Sequence, residues 1–279
     1  MNTKAIFFDI DGTLIDFGMD TMSDSTTNAL KRAQSNGHKI FLCTGRCKKQ
    51  ISEYLLNFGF DGIICSAGAY VECRGKVIDQ QCISIHALEK MVSYFEENNI
   101  IYILMGSTRL LATKDNRLKI CKRFGEDLGI SWEEAARRFD ISELDNDVLQ
   151  NIQKYNDVET GMFIQSTVST EKVKKFLEPE INVTASSYGG RKDERSGEFT
   201  QKGITKATGM QEMLRYLNIQ KKDSIAFGDG PNDLDMLTFA DTGIAMGNAL
   251  EYVKSCSNMV TDSIKNNGIY KAMNLLNLL

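Results

Sequence analysis

The hydrophobic pattern opens with a run that does not alternate: Ile6, Phe7 and Phe8 lead directly into Asp9-Ile10-Asp11-Gly12-Thr13-Leu14. A short apolar run of this kind reads as a strand buried on both faces of a parallel sheet, and this one ends in two carboxylates. The same texture returns three times. Residues 39–42 form a second apolar run ending in Thr44-Gly45-Arg46, residues 62–65 a third, and residues 224–227 a fourth that ends in Gly228-Asp229-Gly230-Pro231-Asn232-Asp233. Between these runs, apolar spacing of three and four residues predicts helices. One runs from a cap at or near Ser25 to Gly37, one carries Ile51, Tyr54, Leu55 and Phe58 up to Gly59, and one opens at Lys202-Gly203 and carries Ile204, Ala207, Leu214 and Leu217. Residues 243–246, a helix over 250–254, Met259-Val260 and a closing helix from Tyr270 complete a strand–helix alternation that predicts an α/β fold around a parallel sheet.

The middle of the chain has a different texture. Residues 70–77, with Arg74-Gly75 at the tip, read as a hairpin. From about Cys82 a helix capped by Ser84 and bearing Leu88, Met91, Val92 and Phe95 is followed by strands over 100–105 and 110–113. Ser131-Trp132-Glu133-Glu134 is a capping box, and the region up to about Thr160 is helical or irregular. A strand over 161–166, a helix over 170–177 stopped at Pro179 and a strand over 181–186 follow. None of these strands ends in carboxylates. The pattern therefore predicts a discontinuous core domain, residues 1–81 and 186–279, interrupted by an α+β domain over 82–185, with the glycine-rich charged loop 188–197 leading back. The Met and aromatic residues of the insert, Trp132 included, are expected in its core.

Composition narrows the class. The length of 279 residues suits about two domains, and 42% hydrophobic with 25% charged residues is ordinary for a globular protein. A net charge of −4, with lysines and arginines scattered, argues against a nucleic-acid partner held by its phosphates. Met1 passes straight into a strand pattern, with no leader-like succession and no apolar run of membrane-spanning length, so a cytoplasmic protein without a membrane partner is expected. The seven cysteines show neither Cys-x-x-Cys pairs nor zinc spacing, which fits reduced thiols; Cys47 reads as a buried inert thiol. With only two histidines, His38 and His86, and no Gly-x-Ser-x-Gly, the sequence argues against a Ser-His hydrolase.

The chemistry then follows from the strand ends. Residues two apart on an extended chain point the same way, so Asp9 and Asp11 face one site, and Gly12 lets the backbone bend closely around a ligand. Two such charges repel unless a cation lies between them or one is protonated, which points to a hard divalent metal. A calcium loop also begins Asp-x-Asp-Gly, but here apolar Leu14 and Ile15 replace the further ligands it requires. Ligands of open parallel sheets sit outside the carboxyl ends of the strands. Ends carrying Asp9 and Asp11, Thr44, and Asp229 with Asp233 should therefore converge, and with Lys202 as the cation they make a site for a magnesium ion and a phosphate.

Phe8-Asp9-Ile10-Asp11-Gly12-Thr13-Leu14, Thr44-Gly45-Arg46, Lys202-Gly203 and Gly228-Asp229-Gly230-Pro231-Asn232-Asp233-Leu234 resemble, in order, the four motifs of the haloacid dehalogenase superfamily. The large insertion between the second and third motifs, and the ending Val260-Thr261-Asp262 with Asn267-Gly268, are similar to its Cof-type sugar-phosphatase branch. The resemblance implies a Rossmann-like core with an inserted cap acting as a lid, and a phosphoric monoester hydrolase that takes a small-molecule phosphate ester such as a sugar phosphate. It further implies Asp9 as nucleophile and Asp11 as the group that protonates the leaving oxygen and later activates water. Mg2+ would be held by Asp9, the backbone carbonyl of Asp11, Asp229 and Asp233. Phosphate and substrate contacts would come from Gly12, Thr13, Thr44, Gly45, Arg46, Lys202 and Asn232. A phosphotransferase or mutase and a non-catalytic phospho-ligand sensor are the alternatives on the same scaffold. The chain departs from the branch at Ala67, where Asn usually precedes Gly-Ala.

Overall fold

A computed structural model describes residues 2–141, 143–185 and 195–279. By backbone contacts these fall into two compact units, one of residues 1–45, 52–79 and 205–279, the other of residues 46–51 and 80–204.

The first unit begins with β1 (Ala5–Phe8), whose four residues are all buried. It continues through α1 (Asp24–Ser35), β2 (Lys39–Cys43), α2 (Glu53–Leu56), β3 (Gly62–Cys65), β4 (Tyr70–Cys73) and β5 (Lys76–Gln80). Ser23 rather than Ser25 caps α1, accepting from Thr26 N–H. The β4–β5 hairpin closes on Arg74 and Gly75, both left-handed, as a two-residue turn requires. The helix expected around Ile51 to Phe58 shrinks to the single turn of α2. Its apolar residues divide between the units: Ile51 is buried and groups with the second, while Leu55 is buried in the first. Tertiary packing has overridden the local period.

The second unit carries α3 (Ile85–Glu97), β6 (Ile101–Met105), β7 (Leu110–Ala112), α4 (Lys114–Leu128), α5 (Trp132–Phe139), β8 (Glu143–Leu144), β9 (Thr160–Ile164), α6 (Thr170–Leu177), β10 (Ile181–Ala185) and β11 (Gly197–Gln201). Its sheet has the order β10-β11-β9-β6-β7-β8 and is antiparallel except at β7–β8. One apolar cluster joins Leu88, Met91, Phe95, Phe163, Val173 and Phe199, and another joins Ile103, Met105, Ile120, Phe124 and Ala135. Trp132, expected in this core, is instead 41% exposed at the first turn of α5, which buries only Ala135. The strand β11 was not foreseen, and it moves the boundary. Because it hydrogen-bonds between β10 and β9, the inserted unit runs to Ile204 and not to residue 185. Ser186 of the expected last strand and most of the loop 188–197 lie outside the described residues.

The chain then returns to the first unit through α7 (Lys206–Leu217), β12 (Ser224–Gly228), α8 (Leu234–Phe239), β13 (Thr242–Ala245), α9 (Glu251–Ser255), β14 (Met259–Val260) and α10 (Gly268–Leu275). The sheet order is β14-β13-β12-β1-β2-β3-β4-β5, parallel from β14 to β3 and antiparallel at β3–β4. Stacked rings fix the register of its centre: Phe7 on Phe41 at 4.9 Å and Phe8 on Phe227 at 5.0 Å. That register sets the ends of β1 and β12 side by side. Among the described residues, no helix is long and apolar enough to cross a membrane.

Candidate active site

At the end of β1 the backbone of Asp9 keeps the sheet pattern, its N–H donating to Phe227 O at 3.0 Å. Beyond it the chain folds back on itself. Gly12 N–H donates to Ile15 O at 2.8 Å, and the N–H groups of Leu14 and Ile15 donate to Ile10 O at 3.0 and 2.9 Å. Gly12 sits at φ +85°, and a Cβ there would lie 2.3 Å from Asp229 Oδ2. Glycine is therefore demanded twice, by the backbone angle and by the carboxylate packed against it.

The end of β12 delivers two more acids. Asp233 is fully buried; its Oδ2 accepts from the N–H groups of Asp229 and Gly230 at 2.9 and 2.8 Å, which pins the loop. Asp229, 9% exposed, accepts from the Thr13 hydroxyl through Oδ1 at 3.0 Å, so the two loops are stitched together across 216 residues of sequence. The Asn248 amide adds a second stitch, donating from Nδ2 to Gly12 O at 2.9 Å and to Asp229 Oδ2 at 3.4 Å.

The cation of this cluster is Lys206, not Lys202. Lys206 is the first residue of α7; Thr205 caps the helix, and Thr205 and Thr208 exchange side-chain-to-backbone bonds at 3.4 and 3.0 Å. Its buried ammonium donates to Asp9 Oδ1 at 2.6 Å and to Asp233 Oδ1 at 2.5 Å. Lys202 is exposed, in the turn that Gly203 (φ +85°) makes after β11 in the other unit, with its backbone N–H on Glu180 O. The expected helix start at Lys202 fails because residues 197–201 are held as a strand, and the turn that ends it delays the helix by four residues.

Among the described residues, Asp9, Asp229 and Asp233 each offer a carboxylate oxygen, all within 4.8 Å of one another. The Asp11 side chain, half-buried on the same loop, is not in this group. Burial first, then the charge of Asp233, raises the Asp9 pKa well above the usual carboxylate range, with Lys206 acting against the rise. Burial also heads the causes that push Asp229 up to about 7, followed by Asp233, while Thr13 and Lys206 oppose it. For Lys206 burial disfavours the charge, but Asp233 and Asp9 outweigh it, and the ammonium is held well above its ordinary pKa. When all three carboxylates are ionised, one ammonium leaves two negative charges uncompensated, and the raised pKa values of Asp9 and Asp229 express that excess. An all-oxygen donor set with that residual charge fits a hard divalent cation.

Thr44, at the end of β2, is 1% exposed and takes its place through Thr44 N–H on Ile64 O at 2.9 Å. Its own carbonyl accepts from Ala67 N–H at 3.0 Å. Gly45 follows, half-buried, and Asn232 is half-buried in the 3-10 turn Pro231–Asp233. Arg46 groups with the second unit, its Nη1 donating to Gln50 O at 3.3 Å. Cys47 is buried, and burial drives its thiol up to about 12, the condition of an inert thiol. Two residues were missed from sequence. Lys206 had a signal, the Thr205–Thr208 pair that caps its helix; Asn248 had none, since its contacts are all distant in sequence.

A parallel sheet with acids from both ends of the chain gathered at the tips of β1 and β12 defines the class. The chain belongs to the haloacid dehalogenase-like hydrolases, whose family pattern matches residues 6–273. It is 27% identical over 279 residues to YkrA of Bacillus subtilis (strain 168), provisionally named a phosphatase, with all of both chains covered. The subclass IIB sugar phosphatase BT4131 is 31% identical, with a TM-score of 0.77, covering 99% of this chain and 100% of that one. A member of a phosphoryl-transfer superfamily, studied for its trigonal-bipyramidal intermediate, is 30% identical with a TM-score of 0.78, both chains covered in full. These relatives support a phosphatase.

Proposed function

We propose that the protein is a magnesium-dependent phosphatase that hydrolyses monoesters of small metabolites such as sugar phosphates through an aspartyl-phosphate on Asp9. The first unit is the catalytic domain in this reading and the inserted unit is its cap. The observation that carries it is the buried Lys206 ammonium paired with both Asp9 and Asp233, whose carboxylates and that of Asp229 offer oxygens within 4.8 Å of one another. Likeness to BT4131 supports the sugar-phosphate class.

A phosphate monoester dianion repels an anionic nucleophile, so the site must neutralise charge while holding the attacking oxygen in line. Asp9, Asp229 and Asp233, with the Asp11 carbonyl, would hold Mg2+, which when bound supplies the positive charge that the phosphoryl oxygens need. Asp9 attacks phosphorus through one carboxylate oxygen; the ester oxygen leaves with a proton from Asp11, and water then releases phosphate as Asp11 takes the proton back. Lys206 already touches the nucleophile, and its ammonium stabilises the charge that spreads over the transferring group. Thr44, Asn232 and the backbone N–H groups around Gly12, Thr13 and Gly45 serve as further donors to the phosphoryl oxygens, with Arg46 proposed for the rest of the substrate.

The test is Asp9→Asn, which keeps the volume and an oxygen for Lys206 while removing the nucleophile. Turnover of 4-nitrophenyl phosphate in Mg2+ should disappear; retained turnover would remove Asp9 from this role. Product analysis with and without sugar acceptors separates hydrolysis from phosphoryl transfer, since only a transferase returns labelled phosphate to the acceptor.

A further inference from the structure

We propose that Asn248 is a positioning residue that locks the two acidic loops at the spacing a divalent cation needs, an inference that rests on the metal-dependent reading above. Asn248 is exposed, between β13 and α9, yet every polar atom of its amide is committed. Nδ2 donates to Gly12 O at 2.9 Å and to Asp229 Oδ2 at 3.4 Å, and Oδ1 accepts from Ile264 N–H at 3.0 Å. These partners fix which end of the amide is which, because the reverse orientation would set a carbonyl against two acceptors and an NH2 against a donor.

The consequence reaches Asp11. The Gly12 N–H is held on Ile15 O and the Gly12 carbonyl on Asn248, so both sides of this residue are tied down. A planar trans peptide then turns the Asp11 carbonyl away from Ile15 O, opposite to the Gly12 N–H. Asp229, which already receives the Thr13 hydroxyl on Oδ1, is held through its second oxygen by the same amide that holds Gly12. One side chain therefore braces the residue that follows a candidate carbonyl ligand and, directly, a candidate carboxylate ligand from the opposite end of the chain, without being a ligand itself. Partners of this kind commonly govern metal affinity. Its third bond extends the brace to the turn at Ser263–Asn267, which Ser25 independently anchors through a 2.6 Å bond from its hydroxyl to Asn267 Oδ1.

The experiment measures Mn2+ binding by electron paramagnetic resonance on substrate-free protein, alongside the Mg2+ activation constant for 4-nitrophenyl phosphate, in wild type, Asn248→Ala, Ser25→Ala and Asp229→Asn. Asn248→Ala should raise the Mn2+ dissociation constant and the Mg2+ activation constant about ten-fold. Its metal-free melting temperature should stay within about 2 °C of wild type, because the residue is exposed. Activity lost at low Mg2+ should return on raising Mg2+. Ser25→Ala, which loosens the same terminal turn without touching the acidic loops, should bind Mn2+ like wild type. Wild-type affinity in Asn248→Ala, equal weakening in Ser25→Ala, or activity that added Mg2+ does not restore would each overturn the proposal. Absence of Mn2+ binding by wild type, or undiminished binding by Asp229→Asn, would instead overturn the metal-site reading and this proposal with it.

Discussion

The Lys206 ammonium lies 2.6 Å from Oδ1 of Asp9, a residue 197 positions earlier, and both side chains are buried. Removing the cation with Lys206→Met leaves Asp9 and Asp233 facing each other without compensation. A broken buried pair costs about 3–5 kcal/mol, and a lost charge-stabilising donor about 10²–10³ in kcat. Urea denaturation should show the destabilisation, smaller as pH falls because Asp9, whose pKa burial and Asp233 raise, can take up a proton. Lys202→Ala, a change in an exposed turn, should keep wild-type stability within about 0.5 kcal/mol.

That pair also marks how far the sequence could be read. The parallel sheet and the convergence of acids at its strand ends were legible because four short apolar runs recur between helical patterns and three of them stop at a polar or acidic cluster. The position of the lysine was not legible. Gln201-Lys202-Gly203 and Thr205-Lys206 both offer a lysine beside a helix-start signal, and only the pairing of residues 197–201 with β9 and β10 decides between them. The same strand moved the domain boundary. Asn248 was invisible for a different reason: its bonds reach back 236 residues to Gly12 and forward 16 to Ile264, and no local pattern encodes them.

Gly12→Ala should damage the site more than the fold. The new Cβ would meet Asp229 Oδ2 at 2.3 Å, and φ +85° adds a left-handed strain of about 1–2 kcal/mol for an L-residue. The carboxylate must move aside, and displacement by about 1 Å costs roughly 10² in rate. Mn2+ titration and kcat/KM should therefore both report the loss, with only a modest fall in the urea midpoint.

Ala67 is predicted to be a site of easy stabilisation. It sits at φ 52°, ψ 33°, and neighbouring Ser66 is also left-handed, so the turn that docks on the Thr44 carbonyl stores backbone strain. Asn tolerates this conformation better than Ala. Ala67→Asn should raise the unfolding free energy by about 0.5–1 kcal/mol, read as a melting temperature higher by about 2 °C. An unchanged or lower value would mean that the side chain finds no room in the turn.

Metal binding should be linked to the proton on Asp229. Its pKa in the folded chain, about 7, lies above the ordinary carboxylate value, so the folded state binds this proton more tightly than the unfolded state does. For the metal-free protein, that contribution to stability is complete below the unfolded pKa of about 4 and is lost as pH rises through about 7. A divalent cation reverses the sign, because it needs the deprotonated carboxylate and takes the proton's place. Mg2+ should accordingly stabilise the protein most above pH 7. Its affinity should fall about ten-fold per pH unit for each proton displaced below that point. Melting curves with and without Mg2+ between pH 5 and 8.5 give both slopes. In Asp229→Asn the metal-free curve should lose its decline across pH 5 to 7 to the extent that Asp229, and not Asp9, supplies it.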